Sequence, residues 1–214
     1  DPQGNSTSGL GFDKNNLENT IYEILIEEFD INKAICSTEI DGLDLIPSNI
    51  QLAGAEIELT NTRYREKTLR EKLNLIDGNY DFIIIDCPPS LGLLSLNALT
   101  ASHSVLIPIQ CEYYSLEGVG QLIDTVKLVK KNLNPKLEIE GVLLNMYDGR
   151  TNLSAQVVEE VKKYFKNKVY RTVIPRNVRL AEAPSFGQPI MLYDENSKGS
   201  EAYIKLSEEI IKNN

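Results

Sequence analysis

Apolar positions along the chain follow two alternating patterns. Short runs at Leu43–Ile46, Phe82–Ile85, Val105–Ile109, Ile139–Leu144 and Val169–Ile174 are nearly continuously apolar where they are long. That is the pattern of parallel strands covered on both faces, not of strands with one wet side. Between them, apolar residues return every three or four positions. Leu17, Ile21, Ile24 and Leu25 form one such stripe, and Leu116, Val119, Ile123 and Val126 a second, with Ser115 as N-cap. Val157, Val158, Val161, Tyr164 and Phe165 form a third, capped by Ser154, and Tyr203, Leu206 and Ile210 a fourth. Residues so spaced share one helix face, and a serine at the start satisfies an N–H that would otherwise have no partner. The alternation predicts a three-layer α/β fold, a mostly parallel twisted sheet with helices on both faces. Ligands of such sheets bind beyond the carboxyl ends of strands, so residues that follow strands are the ones to search for chemistry.

No repeat or Pro/Gly/Ser-rich linker divides the sequence, so residues 1–214 read as one domain, long enough to bury most of its apolar surface. No apolar run approaches the roughly 18 residues of a membrane span. Cys36, Cys87 and Cys111 are few, odd in number and widely spaced, which points to neither a disulfide framework nor a zinc site and suggests a reducing cytoplasm. His103 is the one histidine; alone it assembles neither a catalytic triad nor a multi-histidine metal site, and it is expected in a loop. The net charge of −9 argues against uniform attraction to nucleic acid. Its distribution changes that picture. Residues 150–179 carry eight lysines and arginines against Glu159 and Glu160, a net +6 that leaves −15 for the rest. Such asymmetry is the footprint of a phosphate-binding face, and equally of a solvated lysine-rich helix.

Phe82–Ile85 ends in Asp86, and a buried strand delivering one carboxylate is a Walker-B arrangement, suited to a magnesium–nucleotide site that needs few protein ligands. The same pattern also describes a strand ending in a turn former. The continuation Cys87-Pro88-Pro89-Ser90-Leu91-Gly92 stiffens the backbone and then permits a close turn into a helix around Leu93–Leu99.

Here the sequence resembles a known family. Ile84-Ile85-Asp86-Cys87-Pro88-Pro89-Ser90-Leu91-Gly92 is similar to the Walker-B and switch II segment of ParA/Soj-type partition ATPases, and residues 1–11, Asp1-Pro2-Gln3-Gly4-Asn5 through Gly11, are similar to their switch I. The likeness continues through Ile50–Glu56, Gln110-Cys111-Glu112-Tyr113-Tyr114, Ile174–Leu180 and Glu182-Ala183-Pro184, and so runs from end to end. The resemblance implies a P-loop NTPase fold and roles by position. Asp1 matches the aspartate that orients the attacking water, and Asp86 the residue that helps hold Mg²⁺. Asn145 and Pro175-Arg176-Asn177 match segments lining the base pocket, and Arg150 and Arg179 match arginines used for sequence-independent DNA binding. Asn145-x-x-Asp148 has the spacing of guanine readers without their lysine, which favours ATP over GTP. The resemblance further implies an ATP-dependent sandwich homodimer, nonspecific double-stranded DNA and a ParB-type centromere-binding protein as partners, and a cytoplasmic, nucleoid-associated location.

The family's phosphate loop, with the strand–helix–strand unit around it, has no counterpart in residues 1–214; Gly9-Leu10-Gly11 lacks the terminal Gly-Lys-Ser/Thr. The expectation is therefore an N-terminally incomplete domain, inactive and poorly stable by itself, since losing about five ladder hydrogen bonds at about 0.5–1.5 kcal/mol each is large against typical stabilities. The competing reading is a truncated, non-catalytic module that binds DNA or protein. A membrane-cycling relative would need a basic amphipathic terminal helix. The C-terminal Leu206–Asn214 carries two glutamates and reads instead as a helix packed on the sheet.

Overall fold

The structure is a computed structural model that describes residues 1–78, 80–112 and 115–214. Tyr113 and Tyr114, and the side chains of Ser115 and Leu116 counted above, lie outside the described residues. The chain divides into two compact units, Asp1–Ser102 with Lys131–Pro135, and His103–Lys130 with Lys136–Asn214.

The first unit contains α1 (Asn5–Gly9), α2 (Ile21–Ile26), the antiparallel pair β1 (Cys36–Ser37) and β2 (Asp44–Leu45), α3 (Leu52–Glu58), α4 (Thr68–Leu73) and α5 (Leu93–Ala101). The stripe beginning at Leu17 becomes helical only from Ile21. A capping box sets that start: Thr20 Oγ1 accepts the Tyr22 N–H at 3.1 Å, and Glu23 Oε2 accepts the Thr20 N–H at 2.7 Å. Leu25, Leu52, Ala55, Leu59, Leu69 and Leu94 pack into its core. Buried Asn97 ties three segments around that core. Its Oδ1 accepts the Leu69 N–H, and its Nδ2 donates to the carbonyls of Arg65 and Leu93.

Two strand expectations need correction here. Leu43–Ile46 shrinks to the two-residue β2, and Phe82–Ile85 is not a strand. Ile84 is 91% exposed, Ile83 53% and Phe82 50%. A strand exists through its ladder, and no described residue offers this segment a backbone partner on either side. The helix after it does form. Glu56 Oε1 accepts the Leu94 N–H at 3.3 Å, caring for a first turn that Gly92 cannot cap with a side chain.

The second unit holds β3 (Ser104–Gln110), α6 (Ser115–Asn132, apart from its last two residues), β4 (Glu138–Tyr147), α7 (Asn152–Phe165), β5 (Val169–Pro175), α8 (Val178–Glu182), α9 (Ile190–Tyr193) and α10 (Lys198–Asn213). Its sheet is parallel, in the order β3-β4-β5. Alternate residues go to opposite faces, and both faces are covered. Ile107, Ile109, Val142 and Leu144 meet Ile123 of α6 and Val157, Val161 and Phe165 of α7. Leu143, Tyr170 and Ile174 meet Ala202 and Leu206 of α10. This is the three-layer α/β arrangement that the continuous apolar runs predicted. Gly141 leaves room for the Tyr170 ring, since a Cβ there would come within 2.7 Å of its Cζ. The cap of α7 is Thr151 and not Ser154. Thr151 Oγ1 accepts the Ser154 N–H at 3.3 Å, while the Ser154 hydroxyl donates to the Cys111 carbonyl.

β5 carries a bulge. Val142 pairs with Val169 and Leu144 with Val173, so two steps of β4 face four of β5. The Arg171 and Thr172 N–H groups in that stretch donate to the two oxygens of Glu209 on α10, at 2.8 and 3.0 Å. Among the described residues, no helix is long and apolar enough to cross a membrane.

Candidate functional site

The first unit brings Asp1 and Asp86 together from opposite ends of its sequence. The Asp1 nitrogen donates to the Asp86 carbonyl at 3.0 Å. The Asp1 carboxylate is set by its own turn, its Oδ1 accepting the Gln3 N–H at 3.0 Å while its carbonyl accepts the Gly4 N–H. Ser48 fastens this turn from outside. Its hydroxyl donates to the Asp1 carbonyl at 2.8 Å, and its N–H donates to Oγ1 of buried Thr7 at 2.9 Å. Gly4 makes the close approach possible. It sits at φ +57°, and a Cβ there would press into the Ser48 carbonyl.

Asp86 has a second neighbour. The Ser6 hydroxyl on α1 donates to Asp86 Oδ2 at 2.7 Å, which fixes the carboxylate's orientation. No group of three or more metal-ligating side chains gathers among the described residues. A lone carboxylate fits an ion that keeps water and phosphate oxygens as its other ligands, as Mg²⁺ does, and does not fit one that needs an all-protein cage.

In the second unit, Asn145 and Pro175–Asn177 meet at the carboxyl ends of β4 and β5. Tyr147 pairs with Pro175, and the Arg176 N–H donates to the Tyr147 carbonyl at 2.9 Å. Asn145 Oδ1 accepts the N–H of Met146, which has the left-handed φ of +54°. Asn177 caps α8, accepting the Arg179 N–H at 2.8 Å. Arg176 lies 3.9 Å from Glu112.

Arg150 and Arg179 both reach the surface, and both are already paired. Arg150 grips Asp148 with two parallel bonds, Nε to Oδ1 at 2.9 Å and Nη2 to Oδ2 at 2.7 Å. The Arg150 side chain, foremost through these bonds, holds the Asp148 carboxyl well below the usual carboxylate range. With both oxygens engaged, Asp148 does not present a free carboxylate to a base, whatever the Asn145-x-x-Asp148 spacing suggests. Arg179 lies 2.9 Å from Glu182 and 3.2 Å from Asp194. Sequence reasoning missed Ser6, Thr7 and Ser48, which make non-local contacts without any pattern, and it missed Asp148 as the partner of Arg150, although a carboxylate two residues away is a local signal.

Comparison with known proteins adds the following. Residues 1–139 match a family described as an AAA domain. The chain is 61% identical over 213 residues to the sporulation initiation inhibitor protein Soj of Bacillus subtilis, covering 100% of this chain and 84% of that protein. It is 55% identical over 212 residues to the chromosome partitioning protein ParA of Myxococcus xanthus, covering 99% and 75%. In three dimensions it resembles the cobyrinic acid a,c-diamide synthase of Mycobacterium smegmatis, solved with a bound ATP analogue and magnesium. That match has a TM-score of 0.84 and 39% identity, and it covers 97% of this chain and 78% of the synthase.

Proposed function

The chain belongs to the ParA/Soj family of chromosome-partitioning ATPases, and from that premise we propose a DNA-segregation protein that hydrolyses Mg-ATP, pairs with a second copy across bound nucleotide and, as the pair, binds duplex DNA without regard to sequence. The observation that carries this reading is the meeting of Asp1 and Asp86, the Asp1 nitrogen donating to the Asp86 carbonyl while the Ser6 hydroxyl orients the Asp86 carboxylate.

Phosphoryl transfer asks for positioned charges more than covalent chemistry. The Asp1 carboxylate, held by its turn and by Ser48, orients the attacking water and accepts its hydrogen bond. Asp86, oriented by Ser6, would hold Mg²⁺, which would draw charge from the phosphate oxygens. The phosphate-binding lysine and backbone cradle are not among residues 1–214, so every assay here concerns the full-length protein. Asn145 and Pro175–Asn177, at the carboxyl ends of two parallel strands, line the base pocket. Arg150 and Arg179 meet DNA phosphates, and pairing two such surfaces in a dimer raises avidity without new contacts. A ParB-type protein is the partner that stimulates hydrolysis, and DNA binding places the protein on the nucleoid in the cytoplasm.

The test is Mg-ATP-dependent stability and DNA binding. A ligand at a hundredfold excess over its Kd stabilises by about 2.7 kcal/mol, a clear shift in melting temperature. Binding to unrelated duplexes should require ATP and fall about equally for all of them in Arg150→Ala and Arg179→Ala. A full-length protein that shows no nucleotide shift would instead be a binding module.

A further inference from the structure

Resting on the DNA-binding reading above, we propose that Asp148, and the pair Glu182 and Asp194, are built-in counter-ions that compete with DNA phosphates for Arg150 and Arg179, and so set the strength and salt dependence of binding. The geometry of Arg150 carries the idea. Its side chain is 88% exposed, yet the Nε–Nη2 edge, the one suited to a two-bond grip on a phosphate, is filled by Asp148. Asp148 does not depend on the guanidinium for its place. Its side chain is only 17% exposed, and its Oδ1 also accepts the Arg150 backbone N–H at 3.1 Å. Its carbonyl accepts both the Thr151 N–H and the Thr151 hydroxyl. When a phosphate arrives, the arginine is the partner that must let go.

Arg179 repeats the arrangement with different residues. Nη1 donates to Glu182 Oε2 at 2.9 Å, Nε faces Asp194 Oδ2 at 3.2 Å, and the Tyr193 hydroxyl donates to the same Glu182 oxygen. Two carboxylates on one guanidinium leave a local charge of −1. Of the other basic residues of the segment, Lys163 meets Glu160 and Arg176 lies 3.9 Å from Glu112, each through a single nitrogen, while Lys162, Lys166, Lys168 and Arg171 make no ion pair among the described residues. Arg150 and Arg179, the two arginines the DNA reading needs, are each held through both Nε and an Nη nitrogen.

The exchange has a thermodynamic signature. A bare arginine that meets a phosphate releases a condensed cation from DNA and adds about 0.9 to the slope of log K against log salt. An arginine that leaves a carboxylate behind obliges that carboxylate to recruit a cation, which cancels part of the release. The expected behaviour is weaker binding with a flatter salt dependence than the count of arginines suggests.

The experiment measures the Kd of full-length protein with Mg-ATP for a random-sequence duplex across about 50–200 mM salt. Asp148→Asn can keep Oδ1 as the acceptor for the Arg150 backbone N–H, and it removes the charge together with the Oδ2 acceptor of Nη2. It should tighten binding about fivefold at low salt, the effect of deleting one like charge about 4 Å from a phosphate in water, and steepen the slope by up to about 0.9. Asp194→Asn, at an independent site, should do the same. Adding Arg150→Ala to Asp148→Asn should abolish the gain. If Arg150→Ala and Arg179→Ala bind as tightly as wild type, the DNA-binding reading itself fails and takes the proposal with it. If those arginines matter but both carboxylate variants bind equally well or more weakly, the counter-ion proposal is overturned and the acids serve to position the arginines.

Discussion

Gly4→Ala tests the whole connection between the Asp1 turn and catalysis. Alanine in the left-handed region costs about 1–2 kcal/mol. Its Cβ would lie 3.2 Å from the Ser48 carbonyl carbon and 2.8 Å from Lys14 Cδ while pressing into the Ser48 oxygen. The lysine end is flexible and can move aside; the Ser48 backbone cannot move so cheaply. If the turn retreats, it forfeits the Ser48 hydroxyl bond to the Asp1 carbonyl and the Ser48 N–H bond to Thr7, each worth about 1 kcal/mol net. The sum is about 3–4 kcal/mol against the seated turn, which corresponds to roughly a hundredfold or more in its population. Because Asp1 acts on the attacking water and not on nucleotide affinity, turnover should fall about a hundredfold while the affinity for Mg-ATP changes little. Steady-state hydrolysis beside titration with a fluorescent ATP analogue, both on full-length protein, separates the two. Turnover within about threefold of wild type in a folded variant would show that catalysis does not depend on the seat that Ser48 provides.

Asn97→Leu keeps the volume but orphans the buried Leu69 N–H and removes one donor from each of the Arg65 and Leu93 carbonyls, so urea unfolding should show a loss of about 1–3 kcal/mol with an unchanged m-value; a loss under about 0.5 kcal/mol would mean that water or a rearranged α4 satisfies the Leu69 N–H. Ser6→Ala frees the Asp86 carboxylate, and the Mg²⁺ needed for half-maximal nucleotide binding should rise about tenfold; an unchanged requirement would remove Ser6 from the site. Arg150 holds the Asp148 carboxyl below its ordinary range, so the pair's contribution is fully present above about pH 4 and is lost only as pH falls through the lower folded value. An NMR titration should find no Asp148 inflection between pH 7 and about 3, and Arg150→Ala should bring one back near 4. An inflection near 4 in the wild type would mean that the pair does not form in solution.

Burial on two sides is what a sequence displays best, and the β3-β4-β5 sheet shows it. Val142 and Leu144 face one layer and Leu143 the other, so β4 reads as a run without interruption. Phe82–Ile85 displays the same run, yet a run states only that side chains seek cover. It does not say whether a neighbouring backbone is there to pair with, and here none of the described residues provides one. Contacts that bridge long separations were equally silent. Ser6 meets Asp86 across 80 positions and Ser48 meets Asp1 across 47, and neither serine sits in any periodic pattern. Asp1, Asp86, Arg150 and Arg179 were legible as candidates because the segments around them resemble a family, whereas the carboxylates on the two arginines come from the turn at Asp148, the i,i+3 spacing of Glu182 on α8 and Asp194 beyond α9, none of which resemblance encodes.

The grip of Glu209 on the β5 bulge also decides where this sheet can be extended. An edge strand is open to association when its N–H groups are free, and at the bulge two of them are already spent on a carboxylate from α10. A stray strand from a neighbouring molecule would find at that rim a bent backbone and a negative charge. At the bulge the β5 rim is therefore shut to association by side-chain chemistry from α10, not by shortness of the strand.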